Sequence, residues 1–394
     1  MTRGRTLLAT VAAAGLFGST TPARAESWCA TRLIAHEWGV QLFDAQGAPH
    51  PVTSATLPAS FHRQPPSETP LVARISDLPP DSGIRLLPLL HFYAPGSDGA
   101  KVPLGLTVGF PRGAATAWYP QVDVWRSREA SNSAAARAIR GALHSARSQL
   151  QATLPRPVLP DDPTQQLQWS RLELTKQPAH PPGAVSTAPS ESWVGQARQL
   201  PDALWVEHGT EAERFVFYEA GTTEHAALRI RRGATAREYV IDNPTQYPVH
   251  DVFLLDRQGA TRWMAFAPTI AAGGHVEVKL AASSVTATRE ALRKQWIDNN
   301  TTLVRDGRSA CVMSRDPAIP VEAAGGHRLY GPEVDLMLTT WAATIFDSAG
   351  TTVVYREDVA YLDAMMPLSL FTDMYHYVEL RRLGLAIWQN VALP

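Results

Sequence analysis

Histidine and glutamate lie side by side at three places in this chain: His36-Glu37, Glu207-His208 and Glu224-His225. Such neighbours can hold a metal ion or act as a general base, so spacing decides what each can do. The first pair sits in "RLIAHEWGVQLF", residues 32 to 43. Read as a strand, that stretch puts Ile34, His36, Trp38, Val40 and Leu42 on one face and Glu37 on the other. His36 and Glu37 therefore cannot chelate one ion together. A helical HExxH zinc site is excluded too, because the second histidine position holds Val40. His91, in "LLHFYAPG", shares a strand face with Leu87, Leu89 and Tyr93. If strands 33–43, 86–94 and 214–219 are neighbours, His36, His91 and Glu219 converge, with His225 in the hairpin turn that follows. Two imidazoles and a carboxylate suit zinc or iron. Against this stands a plainer expectation: His36, on an apolar face beside Trp38, is a hydrogen-bonded core histidine.

Other chemistries find less support. No GxSxG elbow raises a serine, and no glycine-rich phosphate loop or dinucleotide fingerprint is present. Glu207, Glu213 and Glu219 are carboxylates on or near strands, without the facing pair that glycoside hydrolysis needs. The arginine pairs at 231–232 and 381–382 read as solvated surface. Most of the 11 tryptophans fit core positions, although exposed ones on a β-sandwich could stack on sugars. No catalytic residue and no cofactor is assigned.

The elements that must position these residues are mainly β. "LGLTVGF", "AALRIRR" and "HVEVKL" alternate apolar and polar residues, the period of antiparallel sheet with one wet face. "RFVFYEA" is apolar on both faces, as a central strand is. "REYVIDNPTQYPVHDVFLLDRQGATRWMAF" reads as three strands joined by turns. An Ala-rich amphipathic helix is expected at about 131–154, followed by Pro-rich loops at 155–166 and 176–192. After 284 the period changes: "SSVTATREALRKQWID" predicts a Ser- or Thr-capped helix, and "GPEVDLMLTTWAATIF" predicts one opened by Pro332. The segment from Pro367 to the end reads as a last, buried helix. The expected architecture is an antiparallel β-sandwich-type body (26–284) and a smaller α-rich C-terminal region (285–394).

Residues 1–25 read as a signal peptide: Arg3 and Arg5, a short apolar run, then Ala23-Arg24-Ala25 before the cut. No later segment is long and apolar enough to span a bilayer. Export to a periplasmic or extracellular compartment makes a Cys29–Cys311 disulfide the default for the two cysteines. A net charge of -1 gives no electrostatic footprint for nucleic acid.

His36-Glu37-Trp38-Gly39, "FYAP" at 92–95, "GFPRGAATAWYPQ" at 109–121, "ERFVFYEAG" at 213–221 and "RRLGLA" near the end resemble a family of exported bacterial proteins with a His-Glu-Trp-Gly signature. The usual member reads Thr where this chain has Val40, and "FYRG" where it has Phe217-Tyr218-Glu219-Ala220, which weakens the case for Glu219. The resemblance implies export and brings no catalytic residue, cofactor or function with it. The sequence thus predicts a non-catalytic envelope or extracytoplasmic protein binding a protein or polysaccharide partner. The alternative is a metal-dependent hydrolase using His36, His91 and Glu219 or His225.

Overall fold

The computed structural model describes residues 29–49, 57–63, 83–94, 101–111, 113–126, 166–184, 192–222, 224–297, 311–313, 327–372 and 376–392. The expected signal peptide, the Ala-rich helix at 131–154 and the loop 155–165 lie outside them. The chain begins with the long strand β1 (Cys29–Phe43), then β2 (His62–Arg63), β3 (Gly83–Tyr93), β4 (Val102–Gly109), β5 (Gly113–Tyr119), β6 (Val124–Arg126) and β7 (Gln166–Thr175). Helix α1 (Ser192–Arg198) precedes β8 (Trp205–His208), β9 (Glu211–Glu213), β10 (Val216–Thr222), β11 (Arg229–Arg232) and β12 (Glu238–Asp242). Next come β13 (Val249–Gln258), β14 (Thr261–Ile270), β15 (His275–Lys279), β16 (Ala281–Ala282) and α2 (Val285–Trp296). The chain ends through β17 (Cys311–Met313), α3 (Gly331–Thr340), a π-helical turn (Ala343–Asp347), β18 (Gly350–Glu357), α4 (Val359–Met365), β19 (Leu368–Thr372) and β20 (His376–Trp388). The fold is mainly β, as the alternating segments require.

An 11-stranded sheet runs β16-β14-β13-β18-β20-β1-β3-β10-β5-β2, with β17 also paired to β1. One face carries Trp38, Leu89, Phe217, Phe253 and Leu385 against Leu292, Trp296, Val334 and Met337 of α2 and α3. The opposite face is covered twice. Leu33, Leu90 and Val216 pack against Leu104, Leu106 and Leu172 of the sheet β19-β4-β7-β8-β9. Farther along, Phe43, Leu254 and Trp388 pack against Ile230, Ile241 and Val278 of the sheet β11-β12-β15. The arrangement is three layers: helices, a large sheet, and two small sheets side by side.

Two expectations change here. The segment after Pro367 is β19 and β20, not a helix. β20 lies parallel to β1 over thirteen residue pairs and antiparallel to β18. Leu383, Leu385 and Ile387 enter the helix-side core, while Val378, Leu380, Ala386 and Trp388 enter the cores opposite. A run apolar on both faces fits a buried helix and a central strand equally well by periodicity. Burying each of those aliphatic side chains is worth roughly 2 kcal/mol, and only a strand between two partners buries both sets. Because β18 and β20 sit between β13 and β1, the sheet crosses the expected boundary at 285, and the C-terminal region completes the body.

One irregularity in the sheet is local. Pro88 stands inside β3, where it cannot donate to the ladder, and the β1–β3 register shifts between Trp38 and Val40 to accommodate it. Gly39 faces that bulge: a Cβ there would come within 3.3 Å of Pro88 Cα. The glycine of "HEWG" is thus set by close backbone approach.

Candidate functional site

Strand alternation sends the two reactive residues of "HEWG" into different layers. His36 enters the helix-side core with Trp38, and Glu37 the core shared with β4 and β7. Each becomes the centre of a buried polar cluster.

On the helix side, the β1–β3 register sets His36 directly opposite His91. The carboxylate that joins them is Glu333 of α3. His36 Nδ1 lies 2.7 Å from Glu333 Oε2, and His91 Nδ1 lies 3.6 Å from Glu333 Oε1. Exposure is 0% for both histidines and 1% for Glu333. Aromatic rings enclose them: Tyr330 stands 4.6 Å and Tyr93 5.3 Å from the His36 ring, and Phe215 stands 6.0 Å from His91. Burial lowers His91 from 6.5 to about 4, with Glu333 opposing and His36 assisting, so the ring is neutral. Burial acts to raise Glu333, but the two histidines and the Tyr330 N–H reverse this and hold its carboxyl below the ordinary value. Burial and the neighbouring Glu333 carboxylate keep the Tyr93 phenol protonated. His36 Nε2, both ring nitrogens of His91 and Glu333 Oε1 have no hydrogen-bond partner among the described residues.

On the opposite face, Glu37 is paired in register with Arg382 of β20. Arg382 donates through Nε and Nη2 to both Glu37 oxygens, and Tyr218 of β10 donates its hydroxyl to Oε1. Arg382 Nη1 reaches Asp363 Oδ1 of α4 at 2.8 Å, and Nη2 reaches the Met366 carbonyl at 2.9 Å. Arg382 is 1% exposed, which corrects the reading of 381–382 as solvated surface. A buried arginine survives when its planar fork is filled, as here.

The remaining sequence candidates do not join either cluster. Phe215, not Glu219, is the β10-side neighbour of His91. Glu219 lies four residues farther, roughly 13 Å at a strand rise of 3.3 Å. It sits at a bulge in the β10–β5 pairing, accepts from Thr116 Oγ1 at 3.1 Å, and is raised by burial to about 7. His225 is exposed in the turn beyond β10. The ligand set His36, His91, Glu219 and His225 is therefore not assembled; the structure substitutes Glu333. No group of three His, Cys, Asp or Glu among the described residues is spaced to hold a metal ion. Glu207 accepts from Lys101 and the amides of Ala179 and His180, and Glu213 pairs with Arg198, so both carboxylates tie down the 176–184 loop region. The expected Cys29–Cys311 disulfide concerns side chains outside the described residues; the backbone sets Cys311 opposite Thr31, with Cys29 two residues away on the same strand.

Glu333 and Arg382 each carry a local sequence signal. Glu333 follows Pro332 at the third position of α3, where a capping-box glutamate stands, and is one turn from Met337 on the buried face. Arg382 falls on the Leu380 side of a strand apolar on both faces.

No family model and no curated protein matches this chain. Among solved structures it is similar to the Fcho1 Mu homology domain of Danio rerio with a bound Eps15 peptide, over 92% of this chain and 96% of that one, with 6% identity and a TM-score of 0.32. A likeness at that level carries no argument.

Proposed function

We propose that this chain is an exported, non-catalytic envelope or extracytoplasmic binding protein, working with a protein or polysaccharide partner in the periplasm or outside the cell. The observation that carries this reading is the enclosure of the residues best suited to chemistry. His36, His91 and Glu333 are walled in by Tyr93, Tyr330 and Phe215 and are 0%, 0% and 1% exposed. A general base must come within hydrogen-bond reach of a substrate proton, and these groups face one another instead. The leader-like residues 1–25 support export, and export makes a Cys29–Cys311 disulfide the default for the two cysteines.

One observation favours the metal-dependent hydrolase: the imidazole nitrogens and Glu333 Oε1 that lack partners in the buried cluster. A bound ion would engage these atoms rather than the bonded His36 Nδ1 and Glu333 Oε2, but no group of three His, Cys, Asp or Glu among the described residues is spaced to hold one. The test is made on mature protein from an export-competent host. Saturable co-sedimentation with insoluble envelope polysaccharide, or a saturable complex with one envelope protein, is expected, with ester, amide and glycoside substrates left intact. Turnover of any of these that disappears in His36→Ala, together with stoichiometric metal, overturns the reading.

A further inference from the structure

Away from both buried clusters, a cleft of about 320 Å³, its open mouth included, lies over one end of β13, β14 and β18. Register builds its floor. Arg257 pairs with Arg262 and with Gly350, and two residues inward Leu255 pairs with Met264 and with Thr352. Leu255 and Val354 enter the helix-side core, so alternation turns Thr352 and both arginines to that same side. The walls are the first turn of α2, with Val285, and the π-helical turn, with Phe346. π-Helical turns gather at functional sites. Arg257 and Arg262 each donate through Nη1 to a carbonyl of that turn, Asp347 and Phe346 respectively, which fixes two cations at the cleft. Two carboxylates are near. Asp256 turns to the opposite face with Leu254, where it accepts from Gln258 Nε2 at 3.0 Å and Thr351 Oγ1 at 3.4 Å. Asp347 is exposed, 3.5 Å from Arg262 Nη2.

Two independent features point to a ligand. Thr352 is 2% exposed, and its hydroxyl, on the cleft floor, has no hydrogen-bond partner among the described residues. A buried hydroxyl left so costs stability unless something enters to bond it. The second is the start of α2, a 12-residue helix with no acidic side chain in its first turn. Ser284 Oγ takes the Ala287 N–H, and the preceding amides of Val285 and Thr286 belong to the outward-facing set that favours negative charge. We propose that this cleft binds the carboxylate of a small organic acid carrying a short apolar stem. One carboxylate oxygen accepts from the Thr352 hydroxyl on a floor with room for a single water-sized group. Arg257, Arg262 and the first turn of α2 supply the positive field, and Val285 and Phe346 receive the stem. The narrow floor favours a flat carboxylate over a tetrahedral sulfate or phosphate. This site does not depend on the partner proposed above.

Titration of the full mature chain with butanoate at fixed ionic strength, followed by amide NMR, tests it. The Val285 and Thr286 amides should shift and saturate, while butanamide and sulfate bind at least about 10-fold more weakly. Thr352→Val keeps the shape of the side chain and removes only the unpartnered hydroxyl. It should be no less stable than the parent and bind butanoate about 10-fold more weakly, whereas Thr352→Ser should retain binding. Arg257→Gln gives the same loss should the Val variant not fold. No saturable shift with butanoate, equal binding of butanamide or sulfate, or full binding by Thr352→Val overturns the site.

Discussion

Glu219→Gln should stabilise this protein at neutral pH. Glu219 is 2% exposed, and the hydrogen bond it accepts from Thr116 Oγ1 does not offset the loss of water. Burial raises it from 4.5 to about 7, with Thr116 and Arg63 acting in the opposite direction. A carboxyl whose folded pKa is raised contributes stability that is complete below pH 4.5 and is lost as pH rises through 7. The loss has a ceiling of about 3 kcal/mol, and relaxation around the site brings it toward 1–2 kcal/mol. Glutamine keeps an acceptor for Thr116 and removes the charge. Urea unfolding at pH 5, 6, 7 and 8 should therefore show the variant more stable by about 1–3 kcal/mol at pH 8, with the gain shrinking below about 1 kcal/mol at pH 5 and m unchanged. A variant no more stable than the parent at pH 8, or a difference independent of pH, would refute the reasoning. His91 has the opposite sign, losing stability as pH falls from 6.5 toward 4. Between pH 4.5 and 6.5 the two groups offset each other, so the parent should show a flatter acid limb than Glu219→Gln.

Arg382→Met leaves Glu37 buried without its counter-charge and should cost about 3–5 kcal/mol in chemical denaturation, while Glu37→Leu with Arg382→Met should recover most of that loss. Protein exported to an oxidising compartment should be lighter by two hydrogens than its reduced form in intact-mass measurement, with Cys29 and Cys311 in one crosslinked peptide. Ser284→Ala removes the side-chain acceptor for the Ala287 N–H at the start of α2 and should lower stability by about 1 kcal/mol in the same urea assay.

How much of this was legible depends on the range of the interaction. The division of His36 and Glu37 between two faces follows from period two alone, and the structure places them so. The Ser284 cap, and Pro332 at the opening of α3, are local signals and appear where the spacing puts them. The approach of His36 to His91 required β1 and β3 to pair, which no local pattern dictates. Glu333, 297 positions from His36, and Arg382, 345 positions from Glu37, are set by tertiary packing, so Glu219 stood in for the true carboxylate. β20 was hidden by its own hydrophobicity, because a strand buried on both faces loses the alternation that identifies it.

The role of the histidine in "HEWG" is tested most directly by a double-mutant cycle on His36→Phe and Glu333→Gln, measured by chemical denaturation at pH 7. If the pair holds α3 to the sheet, each single change should cost about 2–4 kcal/mol, and the double should fall short of the sum by 1–3 kcal/mol. Single variants within about 0.5 kcal/mol of the parent, with additive effects, would show that the pair does not hold the fold.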